Sequence, residues 1–163
     1  MRSLNEITLS ARVSLFGDRK AFDSLVREHQ ESVRRLFLHL SLGDTMLSDD
    51  LAQDTFIKAW TNIGKFGGRS SFKTWLFAIA FRTWADYFRS RHEADDYEEA
   101  YQYGKEARDV GLRMDMLNAM KQLKPIERTC ITLQVIEGMK TDAIADITEL
   151  NASTVRRHTA RGQ

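Results

Sequence analysis

Residues 49–91, DDLAQDTFIKAWTNIGKFGGRSSFKTWLFAIAFRTWADYFRSR, read as two helices joined by a Gly/Ser loop, and they hold most of the chain's aromatic residues. In the first helix Leu51, Ala52, Thr55, Phe56, Ala59, Trp60 and Ile63 share one side. At 100° per residue, Asp50, Gln53, Asp54, Ile57 and Thr61 fall together on the other. That second stripe has the composition of a solvated face, and only the apolar Ile57 within it hints at a partner. The loop, KFGGRSS at 65–71, has glycines that tolerate positive φ and donors in Arg69, Ser70 and Ser71. It lacks the Gly-Lys-Ser/Thr ending of a nucleotide-binding loop and by itself is an ordinary helix connection. The second helix, from Phe72 to about Arg91, is apolar on two sides: Phe72, Trp75, Leu76 and Ile79 form one stripe, Phe77, Phe81, Trp84 and Phe88 another. Arg69, Lys73, Arg82, Arg89 and Arg91 surround it, with Asp86 the only acid. Aromatics interleaved with arginines suit single-stranded nucleic acid, where each base stacked on a ring contributes ~1–3 kcal/mol.

Working outward, a single proline and the scarcity of alternating β-branched runs make the whole chain all-α. Asp18 is placed to cap a helix whose apolar residues, Phe22, Leu25, Val26, His29, Val33, Leu36, Phe37 and Leu40, recur at helical spacing. His29 in that stripe reads as a packed, hydrogen-bonded histidine. Residues 41–48 read as a loop, with Ser48 or Asp49 capping the next helix. Residues 93–111 change character: Glu93, Asp95, Asp96, Glu98 and Glu99 form an acidic run without an apolar stripe, the mark of a linker. Helical periodicity resumes with Leu112, Met116, Ala119, Met120 and Leu123, and Pro125 suits the first turn of a helix ending at Gly138. Cys130 lies on the apolar side of that helix with no local base, so it reads as a core residue. The last segment, 141–161, has helix-turn-helix anatomy, Asn151 capping a polar and basic helix suited to the major groove. The expected architecture is two small helical domains, 1–92 and 112–163, joined by the acidic linker at 93–111, the C-terminal domain being the helix-turn-helix.

At 163 residues, 42% hydrophobic and 29% charged, the composition is that of an ordinary soluble chain. A net charge of +1 gives no bulk warrant for nucleic-acid binding, because the acidic linker offsets the basic helices. No apolar run approaches the roughly 20 residues of a membrane helix and no signal sequence opens the chain, so a cytoplasmic location without membrane insertion is expected. One cysteine excludes an internal disulfide. Four scattered histidines with no metal-ligand spacing, and no nucleophile–base pair, give no basis for an enzyme, a metal site, a cofactor or a small-molecule substrate.

Two blocks together resemble one family. Gly17-Asp18 with Ala21-Phe22, Asp50-Leu51-x-Gln53-Asp54-x-Phe56-x-x-Ala59-Trp60, Phe66-x-Gly68-x-Ser70-x-Phe72-x-Thr74-Trp75-Leu76-x-x-Ile79-Ala80 and Asp86-Tyr87 resemble region 2 of the extracytoplasmic-function (ECF) sigma factors of bacterial RNA polymerase, in the sigma-70 family. Leu123-x-Pro125, Glu137-Gly138, Ile144-Ala145 and Thr154-Val155-Arg156 resemble their region 4. The resemblance implies a sigma factor that binds core RNA polymerase and promoter DNA, melts the promoter and is held by an anti-sigma factor. It assigns Asp50, Gln53, Asp54 and Ile57 to the core polymerase. It assigns the loop around Gly68, Arg69, Ser70 and Phe72 to a flipped base of the −10 element, and Lys73, Arg82, Asp86, Tyr87, Arg89 and Arg91 to reading and melting that element. Ser153, Thr154, Arg156, Arg157 and Arg161 match the −35 reader.

The chain departs from the family pattern at several points. Arg82 stands where Asn is frequent, Phe81 and Trp84 are bulkier than usual, Glu149 replaces a frequent Gly, and Thr159 an apolar residue. The chain stops at Gln163, before the basic tail that commonly extends the last helix. A different reading of the same helix-turn-helix is a free-standing transcriptional regulator that binds an operator without being a polymerase subunit.

Overall fold

The computed structural model describes residues 4–94 and 112–161, and every regular element among them is helical. Helix α1 spans Leu4–Phe16, α2 Arg19–Leu40, α3 Thr45–Asn62 and α4 Phe72–Ala94. After the acidic stretch, whose residues 95–111 lie outside the described part, come α5 (Leu112–Lys121), α6 (Pro125–Ile131), α7 (Thr141–Thr148) and α8 (Ala152–Arg161).

Local chemistry sets these boundaries. Gly17 takes φ +61° and ends α1, and Asp18 then caps α2 by accepting from the Ala21 amide at 3.2 Å. The capping bond and the neighbouring Arg12 hold the Asp18 carboxyl below its usual pKa. Helix α3 begins earlier than expected: Asp44, in extended conformation, accepts from the Leu47 amide at 3.0 Å. Ser48 is instead buried inside the first turn, its hydroxyl donating to the Asp44 carbonyl at 2.6 Å. Pro125 occupies the first turn of α6, where its missing N–H is no loss, and Glu127 accepts from the Lys124 amide at 3.0 Å. The helix expected to run on to Gly138 widens into a π turn at Thr132–Ile136, with the Glu137 amide bonded to the Thr132 carbonyl at 3.0 Å.

Leu25, Val33, Leu36, Phe37 and Leu40 of α2 are buried, as the stripe requires, against α1 and α3. Helix α4 packs on both α3 and α7, which accounts for its two apolar sides. The core is continuous across the two halves: Cys130, Leu133, Ile144, Ile147 and Val155 belong to the same buried cluster as Leu76, Phe77 and Trp84. Burial pushes the Cys130 thiol up to about 11, so it stays protonated and inert. His29 is buried as expected, but its Nε2 has no hydrogen-bond partner. No helix of the described residues is long and apolar enough to cross a membrane.

Candidate functional site

Helices α2 and α3 leave between them a groove of about 550 Å³, lined by Val26, Gln30, Gln53, Phe56, Ile57 and Trp60 among others. Phe22 supports its floor, with its ring centroid 5.0 Å from that of Trp60. Ile57 is 60% exposed at the groove, a large apolar side chain left in water. Asp50 and Gln53 are exposed beside it and Asp54 is half-exposed, pairing with Lys58 one turn on at 3.2 Å. The acidic and amide stripe of α3 is therefore the rim of an apolar groove. Val26, Gln30, Phe56 and Trp60 escaped the sequence reading because their spacing placed them with the core. A stripe wider than the core needs was the only signal.

The loop at 66–71 projects from a 3₁₀ turn at Ile63–Lys65. Gly68 takes φ +71°, which an L side chain adopts only under strain, and Gly68 and Arg69 are exposed while Ser70 is half-buried. Phe72 departs from expectation. At 2% exposure it cannot face DNA; its ring packs against Phe66, Trp75 and His29 with centroids 5.9, 5.7 and 5.5 Å away, anchoring the loop from below. Along α4, Arg82, Asp86 and Arg89 are exposed on one face, and the Arg91 guanidinium lies over the Tyr87 ring at 5.6 Å. The second aromatic stripe is less open than its composition suggested, because Phe77 and Trp84 are buried.

In the helix-turn-helix, Glu149 ends α7 with φ +60°, the left-handed position where a glycine would be unstrained. Asn151 Oδ1 accepts from the Thr154 amide at 2.8 Å and starts α8. Ser153, Arg156, Arg157 and Arg161 are exposed and Thr154 half-exposed, whereas Val155 and Thr159 are buried. Thr159 fills its apolar position by donating its hydroxyl to the Arg156 carbonyl at 2.9 Å.

The two halves meet through charge as well as apolar packing. The Glu137 side chain, 1% exposed, accepts from Arg35 Nε at 2.8 Å and from Lys73 Nζ at 3.2 Å. Burial pushes this carboxyl up, but the Arg35 hydrogen bond and the charges of Lys73 and Arg35 outweigh it and hold it below the ordinary value. Arg128, 3% exposed, donates to the Leu40 carbonyl at 2.9 Å and the Leu123 carbonyl at 3.0 Å. Arg82 approaches Glu149 at 3.9 Å in an exposed pair. Two expected −10 residues, Lys73 and Arg82, are thus matched with carboxylates of the C-terminal half. Partners 64 to 102 positions apart leave no trace in local sequence pattern.

Buried histidines give these contacts a pH dependence. Burial lowers the pKa of both His29 and His39, so the unfolded chain binds more protons than the folded one. Their contribution is complete above the free value of 6.5 and is lost as pH falls through the depressed folded values. Glu137 acts with the same sign in a lower window, losing its contribution as pH falls below 4.5. Urea unfolding midpoints are expected to drop between pH 8 and pH 5.5; equal midpoints would contradict neutral buried histidines.

Among the described residues no group of three His, Cys, Asp or Glu side chains is placed to hold a metal ion. Comparison with known proteins now bears on these surfaces. The Sigma-70 region 2 family matches residues 25–94 and the Sigma-70 region 4 family residues 113–162. The chain is 32% identical to the ECF RNA polymerase sigma-E factor of Haemophilus influenzae, over 90% of this chain and 86% of that one. It is 30% identical to the RNA polymerase sigma-H factor of Pseudomonas aeruginosa, over 90% and 84%. Its fold is similar to that of CnrH in complex with the cytosolic domain of CnrY, with TM-score 0.73 and 24% identity over 97% of this chain and 92% of that one. It also resembles the sigma factor RpoE of Bartonella quintana in complex with the anti-sigma factor NepR, with TM-score 0.72 and 23% identity over 88% and 92%. With both regions matched in order and relatives aligned over most of their length, the chain belongs to the ECF sigma factors of the sigma-70 family.

Proposed function

We propose that the chain is an alternative sigma factor that binds core RNA polymerase and directs it to promoters, and that its three exposed surfaces divide the work. The α2–α3 groove with Asp50, Gln53, Asp54 and Ile57 docks on the core enzyme. The loop at Gly68, Arg69 and Ser70 takes an unstacked base of the −10 element while Lys73, Arg82, Asp86, Tyr87, Arg89 and Arg91 hold the parted strand. Helix α8 presents Ser153, Thr154, Arg156, Arg157 and Arg161 to −35 duplex. The observation that carries this reading is the apolar groove with an acidic rim lying within the residues that match region 2. The protein acts by binding, not catalysis, in the cytoplasm, through domains at 1–92 and 112–163, and an anti-sigma factor is its expected restraint. A free-standing regulator would leave that groove and the whole region 2 match without a use.

Holding both promoter elements requires the halves to separate. By their numbering the elements stand about 25 base pairs apart, roughly 85 Å at 3.4 Å per pair. A packed chain of this length has a radius of gyration of roughly 15 Å. The arrangement described here is accordingly a resting one.

The test is transcription: purified protein, core polymerase and fragmented bacterial DNA should give specific initiation sites absent with core alone. No initiation and no co-purification with core would sink the reading. For α8, Arg156→Ala and Arg157→Ala should each reduce the log–log salt slope of duplex binding by about one if each neutralises a phosphate. Titrations from low to moderate salt measure it, and an unchanged slope would remove that arginine from the interface.

A further inference from the structure

Helix α1 lies ahead of the residues that match region 2, and nothing so far gives it a role. It packs on both feet of the 66–71 loop, the 3₁₀ turn before it and the start of α4 after it. Glu6 projects from α1 into this junction and is 7% exposed. Its Oε1 accepts from the Lys73 backbone amide at 3.1 Å. The first amides of a helix have no intrahelical acceptor. At α4 the Thr74 amide is satisfied locally by Ser71 Oγ at 3.1 Å, whereas the Lys73 amide is satisfied from 67 residues away by Glu6. A carboxylate there also meets the positive end of the helix dipole.

The surroundings fix that carboxylate. His29 Nε2 stands 3.6 Å from Glu6 Oε1, beyond hydrogen-bond range, so it packs against Glu6 without bonding to it. The His29 ring in turn lies against Phe72, the buried anchor of the loop.

We propose that Glu6 is a positioning residue for −10 strand capture: by capping α4 across the fold it sets where the 66–71 loop stands relative to the helix that holds the strand. This rests on the base-capture reading above. Glu6 itself touches no DNA; it acts through the Lys73 amide and Phe72. Without it, a part-buried N–H loses its acceptor and the C-terminal foot of the loop is free to shift.

The test uses the assembled holoenzyme and the single-stranded DNA that the wild-type holoenzyme enriches, over core alone, from a randomised 12-nucleotide pool. Glu6→Ala should weaken binding of that strand about tenfold, the effect of losing one charge-assisted hydrogen bond. Glu6→Gln, which keeps an acceptor oxygen, should bind within about twofold of wild type. Core affinity should be unchanged in both. Amide exchange on the free chain should show faster exchange at Lys73, with Trp75 unchanged, in Glu6→Ala only. If Glu6→Ala does not fold, Glu6→Asp, whose shorter side chain withdraws the oxygen, reads the same difference. Strand binding equal to wild type, or a loss shared equally by Glu6→Gln, would overturn the proposal. Enrichment of no strand by wild type would instead overturn the base-capture reading, and an unprotected Lys73 amide in wild type would overturn the cap itself.

Discussion

Asp50→Lys combined with Asp54→Lys is expected to abolish co-purification with core RNA polymerase, weakening binding more than about 100-fold, while leaving the circular dichroism spectrum and melting temperature close to wild type. Separating the two effects is what makes the test informative. Asp50 is exposed and Asp54 half-exposed, and the only paired contact either one loses is the exposed Asp54–Lys58 pair. Such a pair contributes about 0.3–0.5 kcal/mol, so folding has little to lose. At an interface matched to basic groups the same changes place like charges in apposition, costing several kcal/mol. Ile57→Ala should act by the other route. Burial of an exposed isoleucine in a partner contributes about 1.5–3 kcal/mol, so its truncation should slow no encounter and instead hasten dissociation. Surface plasmon resonance with immobilised core resolves the two rates. Undiminished binding in the double charge reversal would return this face of α3 to mere solvation.

How much of this was legible beforehand depended on the range of the interaction. Within one helix the period was enough: the α2 stripe predicted Leu25, Val33, Leu36 and Phe37 in the core, and they are there. The Gly17–Asp18 stop and cap were equally readable, since both act within three residues. The start of α3 was not, because Thr45 to Ser48 has loop-like composition and only the extended backbone of Asp44 decides that it caps. The two stripes of α4 were visible, but not what covers them. Phe72 and Phe77 are as buried as any aliphatic core residue, a consequence of α4 lying against both α3 and α7. The π turn at Thr132–Ile136 and the contacts it aims, Glu137 to Arg35 and Lys73, depend on placement of the two halves and had no local signal. The same holds for Glu6, which reads as an unremarkable acid until α4 is set beside it.

Glu137→Gln is expected to open the chain. Removing the charge leaves Arg35 and Lys73 facing a neutral amide across the junction of the two halves. Breaking a fully buried ion pair by removing one partner costs about 3–5 kcal/mol. Here Arg35 and Lys73 keep 43% and 30% of their side-chain surface in water, so the expected loss is smaller, about 2 kcal/mol. That loss falls on the contact between the halves, so the expected readout is the radius of gyration by solution X-ray scattering, rising by several ångströms from the roughly 15 Å of a packed chain. Freed from Glu137, the Lys73 ammonium becomes available to phosphate, and the variant alone should bind duplex DNA more tightly than wild type, with a steeper salt dependence. Glu149→Gln supplies the comparison, because its partner Arg82 stands 3.9 Å away with both side chains mostly exposed, and such a pair contributes almost nothing. It should leave scattering and DNA affinity where they are. If Glu137→Gln scatters like wild type, apolar packing between α4 and α7 holds the halves together unaided, and opening must wait for a surface that competes for that packing, which the core enzyme would have to provide.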